Sequence, residues 1–216
     1  MMVNQSPMST DSTLYYVHDP MCSWCYAFRP VWHAVQSQLP PSIRVKCILG
    51  GLAPDSNEVM PLETQNYVQT QWHKIIRSVP GTVFNFDFWS RCKPRRSTYI
   101  ACRAVILARR QNREVEMIHA IQDAYYQQAL NPSDAETLHK LAIRIGLDGK
   151  SFLDDLNAEA TQAELLADIN YARSIGANSF PSLFLAHGSS IKAIPHNYTD
   201  ALKIIEAILA PYNSAT

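Results

Sequence analysis

The sequence has no excess of charge of either sign: nineteen Lys and Arg offset nineteen Asp and Glu. Without an overall field to hold a polyanion or an acidic membrane surface, neither nucleic acid nor membrane is an expected partner. No apolar run approaches the roughly 20 residues that a membrane-spanning helix needs. The opening MMVNQSPMSTDS lacks a basic stretch followed by an apolar one. Residues 1–12 therefore read as a disordered tail rather than an export signal, with Met8 as a second available start. The cytoplasm, where thiols stay reduced, is the expected compartment. There is no internal repeat, no low-complexity linker and no second C-x-x-C. Five cysteines is an odd count, and only Cys22 and Cys25 are close in sequence, which argues against a disulfide scaffold.

What is present suffices for a sizeable core, since 47% of 216 residues are hydrophobic. The β-branched and aromatic run Thr13 to Val17 reads as a strand, as does Ser42 to Leu49, where Ile43, Val45 and Cys47 alternate with Arg44 and Lys46. Between them Tyr26, Phe28, Val31, Trp32, Val35 and Leu39 recur at helical spacing, and Pro40-Pro41 ends the run. From Ala53 to about Ile175 the patterns are helical, broken by one aromatic loop. Ser133 and Glu136 form an expected capping box, and Gly146 and Gly176 are expected stops. Strand character returns at Ser182 to Ala186, followed by a His187-Gly188 turn and a second hairpin arm. An amphipathic helix carrying Leu202, Ile205, Ala207 and Leu209 closes the chain. The class is α/β, in the order βαβ, helices, ββα, with the helical lobe packed as an insertion on one α/β domain.

The cysteine pair admits three readings. At i and i+3 on a helix the two thiols share a face and can reach disulfide distance within one turn. Cys22 would stand at the helix start, where unpaired N–H groups and the positive end of the dipole favour an anion. Cys25, one turn inside, should be more buried. That asymmetry suits an exposed attacking thiol and a protected resolving thiol. The dipeptide between them, Ser23-Trp24, supplies no cation, so the couple should be only moderately oxidising. Zinc would need four ligands; His18 could be a third, but no fourth follows, and no metal is expected. A permanent structural disulfide is the remaining alternative.

With DPMCSWCYAFRP and GANSFPSLFL as its two specific motifs, the chain resembles the thioredoxin fold as elaborated in the DsbA-like family, and most closely its FrnE-like branch. The resemblance covers nearly the whole chain from Thr13. It implies a thioredoxin-like domain over residues 13–52 and 176–213 and a helical insertion over 53–175. It also implies a cis peptide at Pro181, where Phe180 and Pro181 offer backbone groups to an extended substrate in the manner of strand addition. The implied activity is thiol-disulfide exchange of the protein disulfide isomerase kind, with Cys22 and Cys25 catalytic. The implied substrate is a protein or small-molecule disulfide, and a glutathione or thioredoxin-type reductant would be the redox partner. The Pro-His dipeptide of periplasmic oxidants is missing, so reduction or isomerisation inside the cell is the expected direction. The helical section is also similar to that of kappa-class glutathione transferases and 2-hydroxychromene-2-carboxylate isomerases. Those relatives commonly place serine where Cys22 stands. The second reading is therefore a glutathione-dependent isomerase or transferase; no bound cofactor is expected beyond glutathione as co-substrate.

Around the motif, Asp19 is either a proton acceptor for Cys25 or a turn acid before Pro20. Ser23 is a supporting neighbour of the sulfur, and Trp24, pinned between the thiols, is expected to touch substrate. Pro30 should kink the helix one turn after the cysteines. Phe84, Phe86, Phe88 and Trp89 read as a core-plugging loop, with Lys93, Arg95 and Arg96 as a solvated rim; the alternative makes the arginines a carboxylate site. Cys47 and Cys102 read as small buried hydrophobes. His33, His73, His119 and His139 read as surface or core residues.

Overall fold

A computed structural model describes residues 12–213. The expected tail lies outside the described residues except for Ser12, which opens the first strand, β1 (Ser12–His18). Helix α1 (Ser23–Gln36) follows, then β2 (Ile43–Leu49). Helices α2 (Leu62–Ser78), α3 (Phe88–Arg91), α4 (Tyr99–Arg110), α5 (Glu114–Tyr126), α6 (Ala135–Arg144), α7 (Phe152–Leu156) and α8 (Glu159–Ser174) come between β2 and β3 (Ser182–His187). The chain closes with β4 (Ser190–Ile194) and α9 (Ala201–Asn213).

The sheet order is β2-β1-β3-β4, with β1 parallel to β2 and antiparallel to β3. This is the thioredoxin-like α/β architecture. Period-2 alternation sends Leu14 and Tyr16 to one face, against Phe28 and Trp32 of α1 and Ile204 and Ile208 of α9. Val17 faces the other side with Phe184, against Ala172 of α8. The helical section has its own core around Trp72, which is fully buried and stacks on Phe84 at 4.8 Å, with Trp89 at 5.1 Å. Truncating such a ring costs about 3–5 kcal/mol.

Several expectations change in detail. The Ser133 hydroxyl donates to the Ser97 carbonyl instead of capping α6, whose N-cap is Asp134. The stops hold, since Gly146 and Gly176 adopt φ +82° and +90°. The hairpin turn falls on Gly188-Ser189, one residue later than expected. Leu202 is exposed, and Ile204, Ile205 and Ile208 carry the buried face of α9. The aromatic loop contains the short α3, and α7 had no expected counterpart. Pro30 lies within α1, which continues to Gln36. Among the described residues, no helix is long and apolar enough to cross a membrane.

Candidate active site

The site starts where β1 ends. Asp19 is fully buried, and its carboxylate accepts hydrogen bonds from Met21 N (2.8 Å), Leu52 N (2.7 Å), Thr98 Oγ1 (2.6 Å) and the Cys102 thiol (3.5 Å). Burial raises its pKa and these bonds oppose the rise. Through these bonds the side chain ties the Asp19-Met21 loop to the segment after β2 and to the start of α4. Cys102 is thus a hydrogen-bond donor as well as a buried apolar residue. The Tyr126 hydroxyl holds the same loop by donating to Met21 O at 2.7 Å. Cys22 N then donates to Asp19 O at 3.0 Å, which turns the chain into α1.

Cys22 is the N-cap of α1, with extended φ −82°, ψ 118°, and no acidic side chain stands in the first turn. The positive end of the helix is left to the sulfur. The Cys22 thiol donates to the Phe180 carbonyl at 3.6 Å. The expectation of an exposed thiol needs correction, because Cys22 is buried to 7% exposure under Phe180 and the surrounding wall. Cys25 is completely buried. Burial pushes its pKa up, and a hydrogen bond to Cys22 together with the charge on that sulfur pushes the same way. All five cysteines are free.

The Phe180-Pro181 peptide is cis and follows the stop at Gly176, which brings the Phe180 carbonyl over the sulfur. A cavity of about 350 Å³ opens beside Cys22, bounded by Ser23, Trp24, Tyr67, Trp72 and Phe180. Pro181 is buried behind Phe180. The Trp24 ring rests on Tyr198 at 5.0 Å, with the Lys74 ammonium 5.9 Å from its centroid. Arg95 and Arg96 also border the cavity. Arg95 is paired with Asp134, whereas Arg96 is exposed and makes no ion pair among the described residues. The aromatic loop therefore divides: Phe84 and Phe88 plug the core, while the arginines face the cavity.

Sequence reading found Cys22, Ser23, Trp24 and Phe180 around this space and missed Tyr67 and Gln71, which α2 delivers from a distance. It also missed Tyr16, a buried strand residue that lines a small cavity together with Cys25. In the sequence Tyr16 is only one residue of an aromatic, β-branched strand run. Among the described residues, no three His, Cys, Asp or Glu side chains converge to hold a metal ion.

Comparison with known proteins agrees with this geometry. The family profile of the DSBA-like thioredoxin domain matches residues 13–202. The ClpXP adapter protein SpxH of Halalkalibacterium halodurans is 23% identical over 175 residues, covering 78% of this chain and 56% of that protein. The chain thus spans little more than half the length of this curated relative. A solved structure from Nitrosomonas europaea, a candidate protein disulfide isomerase, superposes with TM-score 0.79 at 24% identity over 95% of this chain and 98% of its own. The cytosolic disulfide reductase DsbM from Pseudomonas aeruginosa gives 0.70 at 22% identity, over 85% and 89%. The same protein with GSH gives 0.71 at 19%, over 94% and 100%. The chain belongs to the DSBA-like thioredoxin domain family.

Proposed function

We propose that this protein is a thiol-disulfide oxidoreductase working through Cys22 and Cys25, in the FrnE-like branch of its family and in the cytoplasm. One observation carries the reading: Cys22 caps the positive end of α1 at the wall of a cavity, with Cys25 fully buried one turn further along the same helix. The Cys22 thiolate attacks one sulfur of a substrate disulfide, forms a mixed disulfide and releases the other half as thiolate. The Cys25 thiolate then attacks the Cys22 sulfur, closes the Cys22-Cys25 disulfide and expels the second substrate thiolate. Two electrons have passed to the substrate, and two glutathione thiols, leaving as oxidised glutathione, or one thioredoxin-type dithiol restore the pair. Phe180 and Pro181 hold the substrate chain alongside the sulfur as an added strand, and Trp24 forms the floor beneath it. Asp19 and Ser23 support the sulfur's position rather than react.

The arginine rim supports glutathione or another carboxylate-bearing thiol as partner, and DsbM, similar in fold, was solved with GSH. The same rim is what favours the second reading, a glutathione-dependent isomerase or transferase using Cys22 alone. Cys25→Ser separates the two. Disulfide exchange predicts loss of turnover and a mixed disulfide at Cys22 visible by mass spectrometry. An isomerase or transferase keeps its rate and accumulates no adduct.

A further inference from the structure

The two sulfurs border different spaces. Cys22 bounds the large cavity described above, and Cys25 does not. Cys25 instead bounds a second cavity of about 30 Å³ on the opposite side of α1, between α1 and α5. That volume exceeds the roughly 10–15 Å³ one water requires, and a buried water needs 2–4 polar partners. Tyr16, Gln122 and His119, residues with a hydroxyl, an amide and an imidazole to offer, line it beside Cys25 itself. Val115, which is exposed, and the half-buried His119 form its outer side.

We propose that the resolving thiol exchanges its proton with solvent through this rear cavity, by one water passing between the Tyr16 hydroxyl and the His119 imidazole. The proposal rests on the dithiol reading above. During resolution a substrate half fills the front cavity, so Cys25, with no exposed surface, has no path to solvent on that side. The Cys25 S–H bond breaks; the proton passes to the rear water and on to the free nitrogen of neutral His119, then to bulk. The Cys25 thiolate, held by the Tyr16 O–H, displaces the substrate thiolate from Cys22, and that leaving thiolate is protonated by solvent at the front.

The groups around Cys25 fit this direction. Asp19 approaches it with negative charge, Cys22 is uncharged once it is in the mixed disulfide, and Tyr198 and Tyr126 are uncharged phenols whose ionisation burial opposes. Cys47 on β2 and Arg29 on α1 complete the rear wall. His119 faces Arg29, His33, Asp123 and Glu116; burial and the Arg29 charge lower its pKa, which leaves it neutral and able to accept. Arg29 is itself paired with Asp123 at 2.8 Å.

The test separates the two chemical steps by rapid mixing of reduced protein with a chromogenic aryl disulfide. Attack by Cys22 is read in a Cys25→Ser background and release of the second thiol in its presence. Tyr16→Phe and His119→Asn are expected to slow release tenfold or more at pH 7 and move its pH profile to higher pH, while the attack rate changes less than twofold. Wild-type release with an unshifted profile in both variants overturns the proposal, as does an equal fall of both steps, which marks a structural defect. If Cys25→Ser alone traps no mixed disulfide, the dithiol reading itself fails, and the rear route with it.

Discussion

The ring of Phe180 fills the space that a side chain on Gly50 would need: a β-carbon there would stand 2.0 Å from Phe180 Cε1. Glycine at the end of β2 is what lets this ring close over the sheet while its carbonyl meets the Cys22 sulfur. Gly50→Ala should therefore swing Phe180 aside and weaken substrate positioning. The expected result is roughly a tenfold fall in kcat/KM for disulfide reduction, equivalent to about 1.4 kcal/mol, with the Cys22 and Cys25 disulfide still able to form. Steady-state kinetics and thiol counting on the same variant check both halves.

Asp19→Ala tests the anchoring role of the buried carboxylate. It strands the Leu52 and Met21 amides, each costing about 1–3 kcal/mol when unsatisfied, and leaves the Thr98 hydroxyl only its contacts with Ala53. Urea unfolding should show a loss of about 3 kcal/mol or more. If stability were unchanged and only release of the second thiol slowed, Asp19 would instead be the proton acceptor for Cys25.

His18 sets an acid limit on the fold. Its ring is fully buried, stacks on Tyr16 at 4.8 Å, and has no hydrogen-bond partner on either nitrogen among the described residues. Burial, with the Arg109 charge second, lowers its pKa to about 3. Between that value and its ordinary 6.5 the unfolded chain binds the proton and the folded one does not, so stability falls as pH drops through this window. The slope is at most about 1.4 kcal/mol per pH unit. His18→Leu should flatten the dependence between pH 6.5 and 4, measured by urea midpoints; an unchanged slope contradicts it.

Arg96 distinguishes carboxylate-bearing from neutral partners. An exposed ion pair contributes about 0.2–1 kcal/mol, so Arg96→Ala should raise KM for oxidised glutathione roughly two- to fivefold, with the effect fading at high salt. KM for an uncharged alkyl disulfide should stay put. Equal changes for both substrates would remove the carboxylate from the account.

The parts of this molecule legible in its sequence are those with a period. Strand β1 announces itself by its β-branched and aromatic run, β2 by alternation and α1 by its apolar stripe, so Cys22 could be placed at a helix start before any coordinates. Helices α3 and α7, of 4 and 5 residues, are too short to show a period. Ser133 matched the capping pattern, yet its hydroxyl turned to the Ser97 carbonyl, a partner 36 residues away that no local rule contains. The cavity wall follows the same logic: Ser23 and Trp24 sit beside the motif, whereas Tyr67, Gln71 and Arg96 reach it only through packing of α2 and the loop before α4. Tyr16 was legible only as part of a strand, and the cavity it shares with Cys25 depends on how α1 crosses β1.

The most direct measurement equilibrates the reduced protein against a glutathione redox series, with free thiols counted and the disulfide mapped by peptide mass spectrometry. The account predicts one two-electron transition in which two of the five thiols disappear and the linked peptides carry Cys22 and Cys25. A protein that keeps all its thiols across the series, or that pairs Cys22 with any other cysteine, would contradict it.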